Sequence, residues 1–253
     1  MSGHSKWSTI KRKKGANDAK RGKIFTKLAR NITIAARQGG GDPETNFALR
    51  LVIDKAKAAN MPKDNIERAI KRGTGELDDD EIIEEILYEA YGPGGVAMLI
   101  EVATDNRNRT LPEIKSTITK AGGNMASEGS VSWQFNQKGY ITVPAEGVDY
   151  DELFLVAAEA GADDVVNDPE TFEVYTPRES LQAVREALGE AGIEVDEARL
   201  DWVPTTNAEI SESDAIKVLN LIEQVEDLDD TQAVYSNLNM TEELVAAFEA
   251  AGG

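Results

Sequence analysis

The chain changes its hydrophobic period near Glu84, and that change restricts the fold more than any other feature. Before it, apolar residues recur at helical spacing; after it, they recur at strand spacing interrupted by helical runs. Helices first and a strand-rich mixture afterwards predict an α+β protein. At roughly 150 residues per domain, 253 residues predict two or three domains.

Asp18 can cap a helix that runs to about Gln38 and ends at Gly39, Gly40 and Gly41. Asp42-Pro43 reads as an N-cap followed by proline at the first helical position. The helix it opens runs to about Ala59, with Phe47, Leu51, Val52 and Ala56 inward. Asn60-Met61-Pro62 breaks it. A short third helix turns Ile66, Ala69 and Ile70 inward and stops at Gly73. Residues 1–75 are therefore expected to form a basic arm and a three-helix bundle. Thr74 to Asp80 reads as an acidic linker.

Ile86 to Tyr91, the turn Gly92-Pro93-Gly94-Gly95, and Val96 to Thr104 predict a hairpin. The polar loop Asp105 to Thr110 precedes a helix ending at Ala121-Gly122-Gly123, and Ser130 to Phe135 reads as a further strand. Then a strand at Tyr140 to Val143, a helix at Tyr150 to Ala160, strands at Val165-Val166 and Phe172 to Tyr175, a helix at Glu179 to Ala191 and a strand at Val195 to Val203 follow. That order, βαββαβ, is ferredoxin-like. The helix Asp214 to Val225 and the strand Ala233 to Tyr235 are orphans unless they complete the unit begun at 84. The expected organisation is thus two α+β domains: 76–136 with 205–253, and a ferredoxin-like domain, 137–204, inserted in it.

The charge is as divided as the period. The net charge is −19, yet residues 1–75 hold 18 Lys/Arg and 6 Asp/Glu, net +12, and residues 76–253 are net −31. Residues 1–37 carry 11 basic side chains against Asp18. Such asymmetry marks a basic arm on an acidic body. At about 100° per residue, Lys20, Lys23, Lys27, Arg30 and Arg37 share one arc of the first helix, and Ile24, Phe25, Leu28, Ile32 and Ala36 share the other. Lys6, Lys11, Arg12, Lys13, Lys14, Lys20, Arg21, Lys23, Lys27 and Arg30 are therefore candidates to neutralise nucleic-acid phosphates. Trp7 can stack on a base or pin the arm to the bundle. Arg107, Asn108 and Arg109 form a candidate partner-contact loop, with Asp105 or Asn108 capping the helix behind it. The alternative is that the basic third and the acidic remainder pair with each other.

Cysteine is absent and His4 is the one histidine. No disulfide framework, thiolate metal site or cysteine chemistry can be built, and a histidine-based centre would have to form at the fourth residue. Asp78 to Glu81 and Asp227 to Asp230 lack the spacing of a calcium loop. Gly92 to Gly95 lacks the ending of a phosphate loop. No metal, cofactor, small-molecule substrate or catalytic residue is expected. With no 18-residue apolar window and no apolar leader core, neither a membrane span nor a secretory signal is expected, and the cytoplasm is the default location.

Four stretches carry a resemblance: Gly3-His4-Ser5-Lys6-Trp7 with Ile10-Lys11 and Lys13-Lys14; Asn60-Met61-Pro62-Lys63-Asp64-Asn65-Ile66; Tyr91-Gly92-Pro93-Gly94-Gly95-Val96-Ala97; and Thr104-Asp105-Asn106-Arg107-Asn108-Arg109-Thr110. Together they resemble the YebC/PmpR family, whose mitochondrial relatives activate translation of a cytochrome oxidase subunit. The resemblance spans essentially the whole chain. It departs at Ala90, where glycine is usual, and at Ile114-Lys115, where valine-arginine is usual. It implies a three-domain, non-enzymatic α+β protein of the bacterial cytoplasm. Members are named as transcriptional regulators that bind DNA; others resemble ribosome-associated translation factors that relieve stalling on proline-rich stretches. The implied partner is nucleic acid, either DNA or the RNA of the ribosome.

Overall fold

The computed structural model describes Trp7, residues 18–77 and residues 82–250. Three helices come first: α1 (Asp18–Gly39), α2 (Phe47–Ala58) and α3 (Lys63–Gly73). Leu28, Ile32, Ala35 and Ala36 of α1 pack with Leu49, Ile53 and Ala56 of α2 and with Ile66 and Ala69 of α3. The closest approach of α1 and α3 is at Gly73, where a Cβ would stand 2.3 Å from the carbonyl oxygen of Thr33. Only glycine fits there, and the reason is contact rather than backbone angle.

Helix α2 starts later than Asp42-Pro43 suggests. Residues 43–45 form a turn, with the N–H of Glu44 donating to the Asp42 carboxylate. The N-cap is Asn46, whose Oδ1 accepts from the N–H of Leu49. Its Nδ2 donates to the carbonyls of Ala35 and Gly40 at 2.8 Å each. Asn46 therefore caps α2 and also satisfies carbonyls at the end of α1, a double use that Asp42 could not supply.

The chain divides into two compact units, residues 1–135 with 204–253, and residues 136–203. The first holds the three helices and a four-stranded sheet. Its elements are β1 (Glu84–Tyr91), β2 (Ala97–Thr104), α4 (Arg107–Lys120), β3 (Asn124–Met125), α7 (Glu212–Glu226), β8 (Thr231–Ser236) and α8 (Glu242–Ala250). The sheet order is β3-β1-β2-β8. Strands β1 and β2 pair from Glu84↔Thr104 to Tyr91↔Ala97, and β8 joins β2 with Leu99 opposite Tyr235. Ala90, Met98, Ile100 and Val102 pack with Ile114 and Ile118 of α4 and with Val218, Leu219 and Ile222 of α7. Ala90 lies opposite Met98 and is fully buried, so the methyl group at this departure from the family pattern is core packing.

The helix Glu242–Ala250 lies outside the sequence-based expectation, and two further segments differ from it. Arg107, Asn108 and Arg109 are not loop residues but the first turn of α4. The N-cap is Asn106, which accepts from the N–H of Arg109 at 3.1 Å, in place of Asp105 or Asn108. Ser130 to Phe135 is not a strand up to its last residue. Its backbone is held by Glu89, whose carboxylate accepts from the N–H groups of Gly129, Val131 and Ser132. Those donors wrap a side chain instead of a ladder. Burial pushes the Glu89 carboxyl up, but the three N–H bonds push it further down, and the net pKa is lowered.

The second unit runs β4 (Phe135–Pro144), α5 (Tyr150–Glu159), β5 (Asp164–Val166), β6 (Thr171–Pro177), α6 (Leu181–Glu190) and β7 (Glu197–Pro204). Its sheet order is β5-β6-β4-β7, the ferredoxin-like arrangement. Tyr140 pairs with Tyr175 and Ile141 with Val174. Ile141, Val143, Leu153, Ala157, Val174, Val184 and Leu188 are buried. Glu173 is buried too, with the hydroxyls of Tyr140 and Tyr175 donating to its two oxygens at 3.1 and 2.8 Å. Burial raises its pKa, and the two phenols only partly offset this. A raised carboxyl pKa favours the folded state at low pH and opposes it as pH rises. Glu173→Gln removes the buried charge and keeps a carbonyl acceptor. At neutral pH it should change unfolding free energy by no more than about 1 kcal/mol, toward greater stability, in a urea titration; a loss of several kcal/mol would show that the carboxylate itself holds the sheet.

Candidate nucleic-acid interface

The candidate cations fall into three groups. Lys6, Lys11, Arg12, Lys13 and Lys14 lie outside the described residues, as do His4 and Asp78 to Glu81. Lys20 is in the first turn of α1, and Arg21 follows it, exposed. The third group, Lys23, Lys27 and Arg30, repeats at i, i+4 and i+7, so all three leave α1 on one side. They converge on the end of α7.

The carbonyl of Glu226 accepts from Lys27 Nζ, and that of Asp227 from Lys23 Nζ at 3.0 Å. Arg30 Nη1 donates to the carbonyl of Asp229 at 2.7 Å and lies 2.9 Å from the Asp230 carboxylate. Lys23 Nζ also stands 3.7 Å from a carboxylate oxygen of Asp229. The last carbonyls of a helix lack intrahelical donors and carry the negative end of its dipole. Lys27 and Lys23 therefore complete the C-terminus of α7, and Arg30 binds the turn that follows it. Lys23 and Arg30 dock on the acidic run Asp227 to Asp230, in which Asp227 caps α7, Asp227 and Asp229 stay exposed, and Asp230 is buried. In sequence the clue is the match between a one-sided basic row and an acidic run at a helix end.

Asp230 is the centre of this contact, and it is 3% exposed. Besides Arg30 it accepts from Arg109 Nη2 on both oxygens, at 2.8 and 3.1 Å, and from the hydroxyls of Thr104 and Thr110. Burial alone would raise its pKa. The Thr110 and Arg109 hydrogen bonds and the charges of Arg30 and Arg109 outweigh burial, so its pKa is lowered. Arg109 also binds Asp105 at 2.8 Å, and the two carboxylates push its pKa upward.

Trp7 sits in the same region. Its indole is 4% exposed and belongs to the core of α7 and α8. Nε1 donates to the Glu226 carboxylate at 3.0 Å, and the ring meets Phe248 edge-on, with centroids 5.7 Å apart. This packing is that of a pin, but onto α7 and α8 rather than onto the three-helix bundle. A stacked base has no face to use while the ring lies there.

The candidate partner-contact residues are split by the fold. Arg109 is tied to Asp230 and Asp105. Arg107 and Asn108 are exposed, and Arg107 makes no hydrogen bond or ion pair with any described residue. Lys115, two turns along α4, is in the same state. Arg109→Ala should lower unfolding free energy by about 1–3 kcal/mol, the range for losing a charged hydrogen-bond partner. Arg107→Ala should leave it within about 0.5 kcal/mol. Thermal unfolding of the two variants checks this, and equal losses would mean that the Asp230 contact is idle.

A helical region docked by a cationic row onto an α+β unit, with a second α+β unit inserted in the chain, defines a mixed α+β protein of three segments. Residues 5–76 match the model of the TACO1/YebC N-terminal domain, and residues 83–238 match that of the TACO1/YebC second and third domain. The chain belongs to the TACO1/YebC family. It is 57% identical over 253 residues to a "probable transcriptional regulatory protein" of Chloroflexus aurantiacus, covering 99% of this chain and all of that one. A protein of the same description from Geobacter sulfurreducens is 54% identical over 243 residues, covering 96% and 98%. The crystal structure of a conserved hypothetical protein from Aquifex aeolicus superposes with a TM-score of 0.82 at 47% identity, covering 89% of this chain and 93% of that one.

Proposed function

We propose that this protein is a non-enzymatic regulator of gene expression that binds nucleic acid, with DNA as the first target. The observation that carries this reading is the concentration of positive charge, 11 basic residues in residues 1–37 against one acid, on a chain whose net charge is −19. Lys23, Lys27 and Arg30 are engaged by α7 and the turn after it, so the phosphate contacts fall to Lys6, Lys11, Arg12, Lys13, Lys14 and Lys20, with Arg107 and Lys115 as further cations on α4. Trp7, in sequence between Lys6 and Lys11, is packed on the core of α7 and α8. The regulatory names of the relatives support a binding role rather than a catalytic one.

Ribosomal RNA is the second reading. Lysines packed this densely suit backbone contact more than base readout, which favours an extended RNA surface. Crosslinking the protein in cells and sequencing what is recovered tests both. Enrichment of genomic sites supports DNA; enrichment of ribosomal RNA supports the second reading; background recovery of each overturns nucleic-acid binding. Among the described residues no helix is long and apolar enough to cross a membrane. The cytoplasm is the location proposed with this function.

A further inference from the structure

The inserted unit combines an acidic surface with two adjacent exposed apolar side chains on one helix. Residues 136–203 hold 17 acidic and 4 basic residues, net −13. On its helix α5, Phe154 is 47% exposed and Leu155 58% exposed. Phe154 is not loose: its ring lies 6.2 Å from that of Tyr150, which meets Phe172 edge-on at 5.5 Å. The aromatic packing of the unit thus continues outward and holds Phe154 in place. Leu155 is flanked along the helix by Asp151, Glu152 and Glu159, at i−4, i−3 and i+4. Helix α5 carries no basic residue.

We propose that this face of α5 is a docking site for a basic amphipathic helix of a partner protein. An apolar centre with a charged rim is the anatomy of a protein interface. Rigid anchors bind with less ordering cost than mobile ones. The charge selects the partner. A net of −13 repels nucleic acid and anionic lipid alike, while lysines beside an apolar stripe meet Asp151, Glu152 and Glu159 as the stripe covers Phe154 and Leu155. The site is remote in sequence from the basic arm and does not depend on the arm's function.

The test uses the full chain and a fluorescent 18-residue amphipathic helix of leucine and lysine, titrated by anisotropy at physiological salt. Phe154→Ser with Leu155→Ser should weaken binding by at least about tenfold, the scale of an interface hot spot. Asp151→Asn, Glu152→Gln and Glu159→Gln together should weaken it several-fold and flatten its salt dependence. The same charge change placed on Glu179, Glu186 and Glu190 should cost less than twofold. Equal losses from the two acid triplets would overturn the proposal, because binding would then follow net charge alone. Unchanged binding by the serine variant, checked as folded by circular dichroism, would also overturn it. So would a wild-type dimer that the serine variant converts to monomer in sedimentation, since the occupant would then be a second copy.

Discussion

Asp230→Ala should destabilise the first unit by about 3 kcal/mol, the lower end of the cost of removing one partner from a buried ion pair. The lower end applies because Arg109, with a side chain 49% exposed, can return to water, whereas Arg30, at 18%, cannot do so fully. Thr104 and Thr110 lose an acceptor but keep each other at 2.7 Å. The expected fall in melting temperature is roughly 6–12 °C. Asp230→Asn keeps one acceptor oxygen and should lose less. The pH dependence has a fixed sign. Asp230 is held below its ordinary pKa, so its contribution is present above about pH 4 and lost as pH falls through the lower folded value. The stability gap between wild type and Asp230→Asn, from urea unfolding at a series of pH values, should therefore narrow on acidification below about pH 4. A gap independent of pH would show that the charge on Asp230 contributes nothing to the fold.

Much of this fold is legible in the sequence because it is written in local signals. The period change at Glu84, the breaks at Asn60-Met61-Pro62 and Gly92 to Gly95, and the βαββαβ order each follow from neighbouring residues. The pairing of β8 with β2 is long-range, yet the orphan helix and strand after Trp202 point to it by elimination. What the sequence hides are side chains that serve distant backbone. Asn46 looks like an ordinary helix residue until it reaches Ala35 and Gly40. Glu89 looks like a solvent-facing strand residue until residues 129–132 fold around it. Each replaces a local rule with a tertiary hydrogen bond.

The candidate interface was half legible. Charge counts place the cations but not their partners. Lys23, Lys27 and Arg30 have the spacing of a phosphate-binding row and also of a row that caps a neighbouring helix. Only the position of α7 decides between these for the conformation seen here. Trp7 has a similar ambiguity, resolved by Phe248 and Glu226, more than 200 residues away in sequence. The pairing alternative therefore holds for the inner half of the basic segment, and the binding reading rests on the outer half.

That division sets the decisive experiment on the arm. Deleting it would also remove Trp7 from the core and confuse binding with folding. Replacing Lys6, Lys11, Arg12, Lys13 and Lys14 with alanine keeps the pin and removes only charge. If these cations serve phosphate rather than the fold, stability should be nearly unchanged. If four or five of these residues sit on phosphates, each carries a log–log salt slope of about −0.7 to −0.9. Wild type should then bind polynucleotide with a slope about 3–4 units steeper than the variant. Raising salt from about 50 to 200 mM should cost wild type roughly a hundredfold more affinity than it costs the variant. Residues 76–253, net −31, cannot make up the difference, because their field opposes phosphate. DNA and ribosomal RNA compared in this assay separate the two target readings by affinity. A variant that keeps the wild-type slope would move the phosphate contacts to Lys20 of α1 or to Arg107 and Lys115 on α4, and a wild type that binds neither polymer would remove nucleic acid from the protein's function.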